Sequence, residues 1–171
     1  VRDVVATVFH AGGAGALRLV AARPFTALWR TYDENAPRTL ADPAFAPPVT
    51  GAQAVTRGTL TLSYRPGAAG VRSNAAFFNP SAESVEVRLD LVKAGSDAAP
   101  GVWTLRLPPW GFGFLDGERL IGTNVLTVAA DFTLRFAATR PVVAFVSVVE
   151  NASNRSRYVF AGQQAAPPKL P

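Results

Sequence analysis

The sequence predicts an all-β domain built as an antiparallel β-sandwich. Three observations carry that expectation: apolar residues recur with a period of two, turn residues interrupt them at short intervals, and no segment sustains the 3.6-residue period of a helix. Of the 171 residues 49% are hydrophobic and 17% charged, with 14 Gly and 14 Pro. That composition suits short strands and frequent turns, not disorder or long helices. A chain of this length buries roughly 70% of its unfolded surface, enough for a real core.

The opening segment is expected to hold strands at Val4–Phe9, Ala16–Ala21 and Phe25–Tyr32, parted by the AGGAGA run and by Arg23-Pro24. Strands follow at Thr59–Tyr64 and Arg72–Phe78, the second ended by the Asn79-Pro80-Ser81 turn. In VEVRLDLV, Val85, Val87, Leu89 and Leu91 alternate with Glu86, Arg88 and Asp90, so one sheet face is apolar and the other a charged ladder. KAGSD at 93–97 turns the chain. Trp103, Leu105 and Leu107 then oppose Val102, Thr104 and Arg106 until Pro108-Pro109 stops the strand. The remaining strands are expected at Gly111–Leu115, Val125–Ala129, Phe132–Ala138, Val142–Glu150 and Arg157–Ala161, with Asn151–Ser156 as the last hairpin loop.

An internal repeat organises these elements. LRLVAARPFTALWRTYDEN from Leu17 aligns without gaps on LRFAATRPVVAFVSVVENA from Leu134, matching Leu17 with Leu134, Arg18 with Arg135, Ala21 with Ala138, Arg23 with Arg140, Pro24 with Pro141 and Ala27 with Ala144. Both copies read strand, Arg-Pro turn, strand, acidic turn. The second copy follows a full set of strands and the first does not. Residues 1–66 are therefore expected to be a partial repeat, 67–162 a complete sandwich and 163–171 a proline-rich tail. Half a sandwich leaves an apolar sheet face wet, so the first unit must pack on something. The strand Val142–Val149 points the same way. One face carries Val142, Ala144, Val146 and Val148, the other Val143, Phe145, Ser147 and Val149. Both are apolar, which predicts cover on both sides, by the N-terminal half or by another chain. The first copy repeats the pattern with Phe25, Ala27 and Trp29 against Leu28, Arg30 and Tyr32.

RSNAAFFNPSAESVEVRLDL, LRLPPWGFGF and LRFAATRPVVAFVSVVENASNRSRYVF together resemble a bacterial β-sandwich repeat of secreted and cell-surface proteins, over Arg72–Phe160 and more loosely Leu17–Asn35. The resemblance implies an Ig-like, non-catalytic module in the periplasm or outside the cell, and it brings no catalytic residues. Three positions depart from the repeat: Ser73 replaces a usual Thr, Glu150 a usual Asp, and Trp110 a residue that is commonly small.

The residue census removes most chemistry. There is no Cys and one His, so thiolate zinc sites, disulfides, Cys nucleophiles and multi-His metal centres are excluded, and no metal or cofactor is expected. His10 stands alone before a glycine run, with no G-x-S-x-G elbow to serve. Asp33 with Glu34, Asp116 with Glu118, and Glu150 beside Asn151 each sit at a strand end, where acids cap turns, and do not face each other across a cleft. The net charge of +5 comes from scattered side chains, fifteen of the seventeen bases being Arg. No stripe forms, so nucleic acid is not an expected partner. No run approaches the roughly 18 apolar residues of a membrane helix. The chain opens on Val1 without a leader pattern, so any export signal is expected to lie outside it.

In PPWGFGFLDG, Trp110, Phe112 and Phe114 recur with period two and share a face. Either a strand presses these rings into the sandwich, with Gly allowing close approach, or Trp110 stands exposed as an anchor for a protein or a sugar ring. The expected function is non-enzymatic: a structural and interaction module, an accessory subunit docked on a larger extracytoplasmic or membrane-associated assembly. Its contact residues would be Trp110, Phe112, Phe145 and Trp29, with Arg155 and Arg157 at the rim. The alternative is a surface carbohydrate-binding or adhesion module that uses the Trp110 loop.

Overall fold

The computed structural model describes residues 10, 17–23, 29–31, 44–46, 50–93, 101–121, 129–153 and 155–161. Strands dominate them: β1 (Trp29–Thr31), β2 (Ala44–Ala46), β3 (Val55–Tyr64), β4 (Val71–Phe78), β5 (Val85–Lys93), β6 (Gly101–Leu107), β7 (Phe112–Asp116), β8 (Ala130–Glu150) and β9 (Ser156–Phe160). A five-residue helix, α1 (Gly117–Ile121), follows β7, and a 3-10 turn spans Gly51–Gln53. No helix among the described residues is long and apolar enough to cross a membrane.

Seven strands form one curled antiparallel sheet, and β1 pairs β2 separately. The curl comes from β8. Its first half pairs β5 and β3, with Leu134 opposite both Leu91 and Leu60. Its second half pairs β4 and β9, with Phe145 opposite both Ala76 and Phe160. β6 lies outside β5 and β7 outside β4, while β3 and β9 form the other two edges beside β8. The turn expected at Arg140-Pro141 is thus a corner inside one 21-residue strand. Proline has no N–H to give a ladder, and it sits past Ala138, the last partner of β5, and before Val143, the first partner of β4. A strand that changes sheets is the usual way to make such a corner.

The two halves face each other across the core. Leu60, Leu62, Val85, Val87, Leu89, Leu91 and Leu134 come from the first half, and Ala75, Phe77, Val142, Ala144 and Val146 from the second, all at most 2% exposed. Phe77 and Phe136 join the halves edge to face at 5.4 Å, a geometry that aromatic quadrupoles favour. Ser73 splices β4 to β3: its buried hydroxyl donates to the Ser63 carbonyl and accepts the Ser63 N–H, both at 2.9 Å.

Other sequence expectations fared unevenly. The Val85–Leu91 alternation is realised, with Glu86 and Arg88 exposed. Residues 17–21, expected as a strand, are exposed and not strand. They carry Arg18 and three large apolar side chains, and no described strand pairs with them. The Phe25–Tyr32 strand is seen over Trp29–Thr31, paired with Ala44–Ala46, which the sequence pattern did not single out. Val4–Phe9, residues 125–128 and the tail at 163–171 lie outside the described residues. Both faces of the second half of β8 are covered within the lone chain: Val143 is 6% and Val149 7% exposed on the face away from the core. β2 lies against β9.

Candidate functional site

The Trp110 loop is a tight turn clamped from beneath. Gly111 N–H donates to the Pro108 carbonyl at 2.9 Å. Pro109 takes the second turn position, whose φ its ring presets, and Trp110 takes the third with φ 57°. That pattern is a type II turn, in which the third position normally belongs to Gly. Gly111 is itself required, because a Cβ there would lie 2.5 Å from the Pro108 ring. Trp110 N–H donates to the Ser81 carbonyl at 3.0 Å, and Asn79 N–H to the Gly111 carbonyl at 2.9 Å. The fully buried Asn79 side chain completes the clamp. Its Nδ2 donates to the Glu83 and Pro108 carbonyls at 2.7 and 2.8 Å, while its Oδ1 accepts the Ser81 N–H and hydroxyl at 3.0 and 2.8 Å.

This clamp holds an exposed indole. Trp110 is 40% and Phe114 50% exposed, and Phe112 is half-buried. On β7 it is Gly113 that faces the core, packed so closely on Leu105 and Leu107 that a Cβ would come within 2.8 Å of Leu105. Phe112 and Phe114 therefore lie on the outer face. There Phe114, Ala76, Phe145 and Phe160 form one rank across four strands. Phe145 packs on Phe160 at 5.4 Å and on Tyr158 at 5.8 Å. The rank is half-buried at Phe145 of β8 and open at Phe114 of β7. Between β6 and β7 a shallow cleft of about 500 Å³ is lined by Trp103, Phe114, Leu115, Asp116, Arg119 and Leu120.

The structure thus places Phe112 and Phe145 on one face, Trp110 in the turn that leads into β7, and the other expected contact residues elsewhere. Arg155 and Arg157 are exposed at the β8–β9 hairpin, beside the start of β4, whereas Trp110 lies past its end. The length of β4 separates them by about 23 Å, at roughly 3.3 Å per residue. Trp29 lies in β1, and its side chain is outside the described residues. The base that meets Trp110 is Arg18, whose guanidinium carbon is 3.8 Å from the ring centroid. Nothing in the sequence marked it, because cation–π pairs between distant segments leave no spacing signal. Asn79 was legible only as a turn residue.

Several charged groups are engaged in turns and ladders. Ser153 Oγ–H donates to Glu150 at 2.8 Å, and Arg140 pairs with Glu83. Arg65 bonds Asp131 at 2.9 Å and holds its carboxyl below the ordinary value, against the opposing effect of partial burial. Asn151 is used by the fold, its amide donating to the Gly67 carbonyl at 2.9 Å. Asp33 and Glu34 lie outside the described residues. Among the described residues no three His, Asp or Glu side chains converge to hold a metal ion.

The fold and site together define a mostly-β chain with an exposed aromatic turn. No protein-family model matches it, and no curated protein matches it in sequence. Among solved structures it is similar to a Thermotoga maritima protein at 14% identity and a TM-score of 0.49, covering 63% of this chain and 93% of that one. It is also similar to the Anabaena sensory rhodopsin transducer, at 17% identity and a TM-score of 0.38, covering 53% of this chain and 95% of that one. At those scores neither likeness informs function.

Proposed function

We propose that the chain is a non-catalytic docking module, an Ig-like accessory subunit of an extracytoplasmic or membrane-associated assembly, with Trp110 as its anchor. One observation carries this: an exposed Trp occupies a backbone position that favours Gly, φ 57°, on a loop clamped by a fully buried Asn. A left-handed conformation costs a non-Gly residue about 1–2 kcal/mol, and strain of that kind is kept where the surroundings over-determine it and function uses it. Large, rigid aromatic side chains are favoured anchors at protein interfaces. Phe112 and Phe114 extend the apolar contact along β7, and Arg18 supplies a cation at its edge.

The test is recovery of the tagged full chain from native membranes at moderate salt. A stoichiometric partner that is lost on Trp110→Ala supports docking, and a partner retained by that variant contradicts it. The second reading is carbohydrate binding. It is favoured by the cleft where the Trp103 and Phe114 rings stand beside Asp116 and Arg119, since aromatic faces with a few polar groups suit sugars. Retention on a polysaccharide column that Trp110→Ala or Trp103→Ala abolishes would favour it over protein docking.

A further inference from the structure

We infer that β7 is a self-complementary edge through which two copies of this chain join, antiparallel, about a two-fold axis beside Phe114. The inference goes beyond the docking reading and does not depend on it.

The direction of the β7 backbone groups follows from its ladder. Phe78 lies opposite Phe112, and Asn79 N–H donates to the Gly111 carbonyl. In an antiparallel pair that bond makes Phe78 and Phe112 a non-hydrogen-bonded pair, so the bonded pairs are Phe77 with Gly113 and Ala75 with Leu115. The N–H and C=O of Phe112 and Phe114 therefore point away from β4, to a side where no described strand pairs.

The other three outer strands carry charge or irregularity that discourages a further strand. β3 has Arg57 and a register shift between Val55 and Arg57, β6 has Arg106, and β9 has Arg157 with β2 against it. β7 reads Phe-Gly-Phe-Leu before its terminal Asp116, with neither Pro nor a central charge. An apolar edge that no described strand pairs is a template for strand addition.

The edge fits its own copy. Pairing centred on Phe114 sets Phe114 opposite the partner's Phe114, both with outward backbone groups. It also sets Gly113 opposite the partner's Leu115 and Leu115 opposite the partner's Gly113, so a large side chain meets a hydrogen atom twice. Asp116 faces the partner's Phe112, which keeps the two carboxylates apart. α1 begins at Gly117 and the Trp110 turn ends at Gly111, so five residues meet five without overhang. An isologous interface closes on itself, as two-fold pairing requires. The joined sheet would carry two Trp110 anchors on one continuous aromatic face.

The test is sedimentation velocity of the full chain over a concentration series, with amide exchange followed by NMR. The expected result is a doubled mass at high concentration and a rise of about tenfold or more in protection of the Phe114 amide, with the Gly113 amide protected throughout. Phe114→Pro removes an outward donor and no bond to β4, so it should stay monomeric. Phe114→Lys sets two like charges across the axis, should do the same, and serves if the proline variant does not fold. A wild-type chain that remains monomeric to its solubility limit overturns the inference. So does a dimer that survives both substitutions, or one that leaves the Phe114 amide unprotected.

Discussion

The Arg18 guanidinium lies over the Trp110 ring, 3.8 Å from its centroid, and ties the opening segment to a turn that holds Trp110 at φ 57°. The contact is exposed, so it contributes about 0.5–1 kcal/mol. A double-mutant cycle of Arg18→Ala and Trp110→Ala, measured by urea unfolding, should return a coupling energy in that range. A coupling near zero would mean that Arg18 adds nothing to the turn.

Asn79 has the opposite role, since its amide is invisible from outside and holds the loop from within. Asn79→Ala removes its side-chain hydrogen bonds to Glu83, Pro108 and Ser81, leaving the Glu83 carbonyl to the Ser81 hydroxyl alone and the Pro108 carbonyl to the Gly111 N–H alone. A hydrogen bond contributes about 0.5–1.5 kcal/mol net, so the expected loss of stability is about 3 kcal/mol, or a fall of roughly 6–12 °C in melting temperature. Asn79→Asp keeps the shape and loses both donors, and should be no better.

The outer aromatic rank gives a contrast within one face. Phe145 packs on Tyr158 and Phe160, whereas Phe114 is 50% exposed. Phe145→Asp should therefore destabilise the chain by about 2 kcal/mol or more, and Phe114→Asp by less than about 1 kcal/mol. Equal losses, measured by denaturant unfolding, would contradict a face that is packed at Phe145 and open at Phe114.

Acid should weaken one tie. Asp131 has its folded-state pKa lowered, chiefly by the Arg65 hydrogen bond, so its contribution is present above the unfolded carboxylate value near 3.9 and is lost as pH falls through the lower folded value. The pair is substantially exposed, so salt also screens it. Asp131→Asn should lower the urea midpoint at pH 7, and the gap to wild type should narrow as pH falls below the unfolded carboxylate value. A gap that persists in acid would assign the effect to packing instead.

Much of the fold was written in period-two patterns, and the places where reading failed have physical causes. The Val85–Leu91 alternation and the two apolar faces of Val142–Val149 were legible because burial acts on each side chain where it stands. Arg140-Pro141 misled, because a proline at a sheet-changing corner reads the same as one in a turn. The residues at 17–21 misled because alternation alone does not supply a pairing partner. At the site, Trp110 and Phe112 were legible as aromatic residues at a punctuated turn. Which way they point was not, since that follows from Gly113 packing on Leu105 and Leu107. Arg155 and Arg157 were grouped with Trp110 by charge, and the length of β4 keeps them from it.

Trp110→Gly tests the central claim most directly, with unfolding and partner recovery measured on the same preparation. Glycine relieves the left-handed backbone while the Arg18 contact disappears, so the chain should gain roughly 0.5–1 kcal/mol of stability. The same variant should no longer recover its partner. A variant that is less stable than wild type and keeps its partner would contradict a Trp110 held for docking, and would make the indole a structural residue.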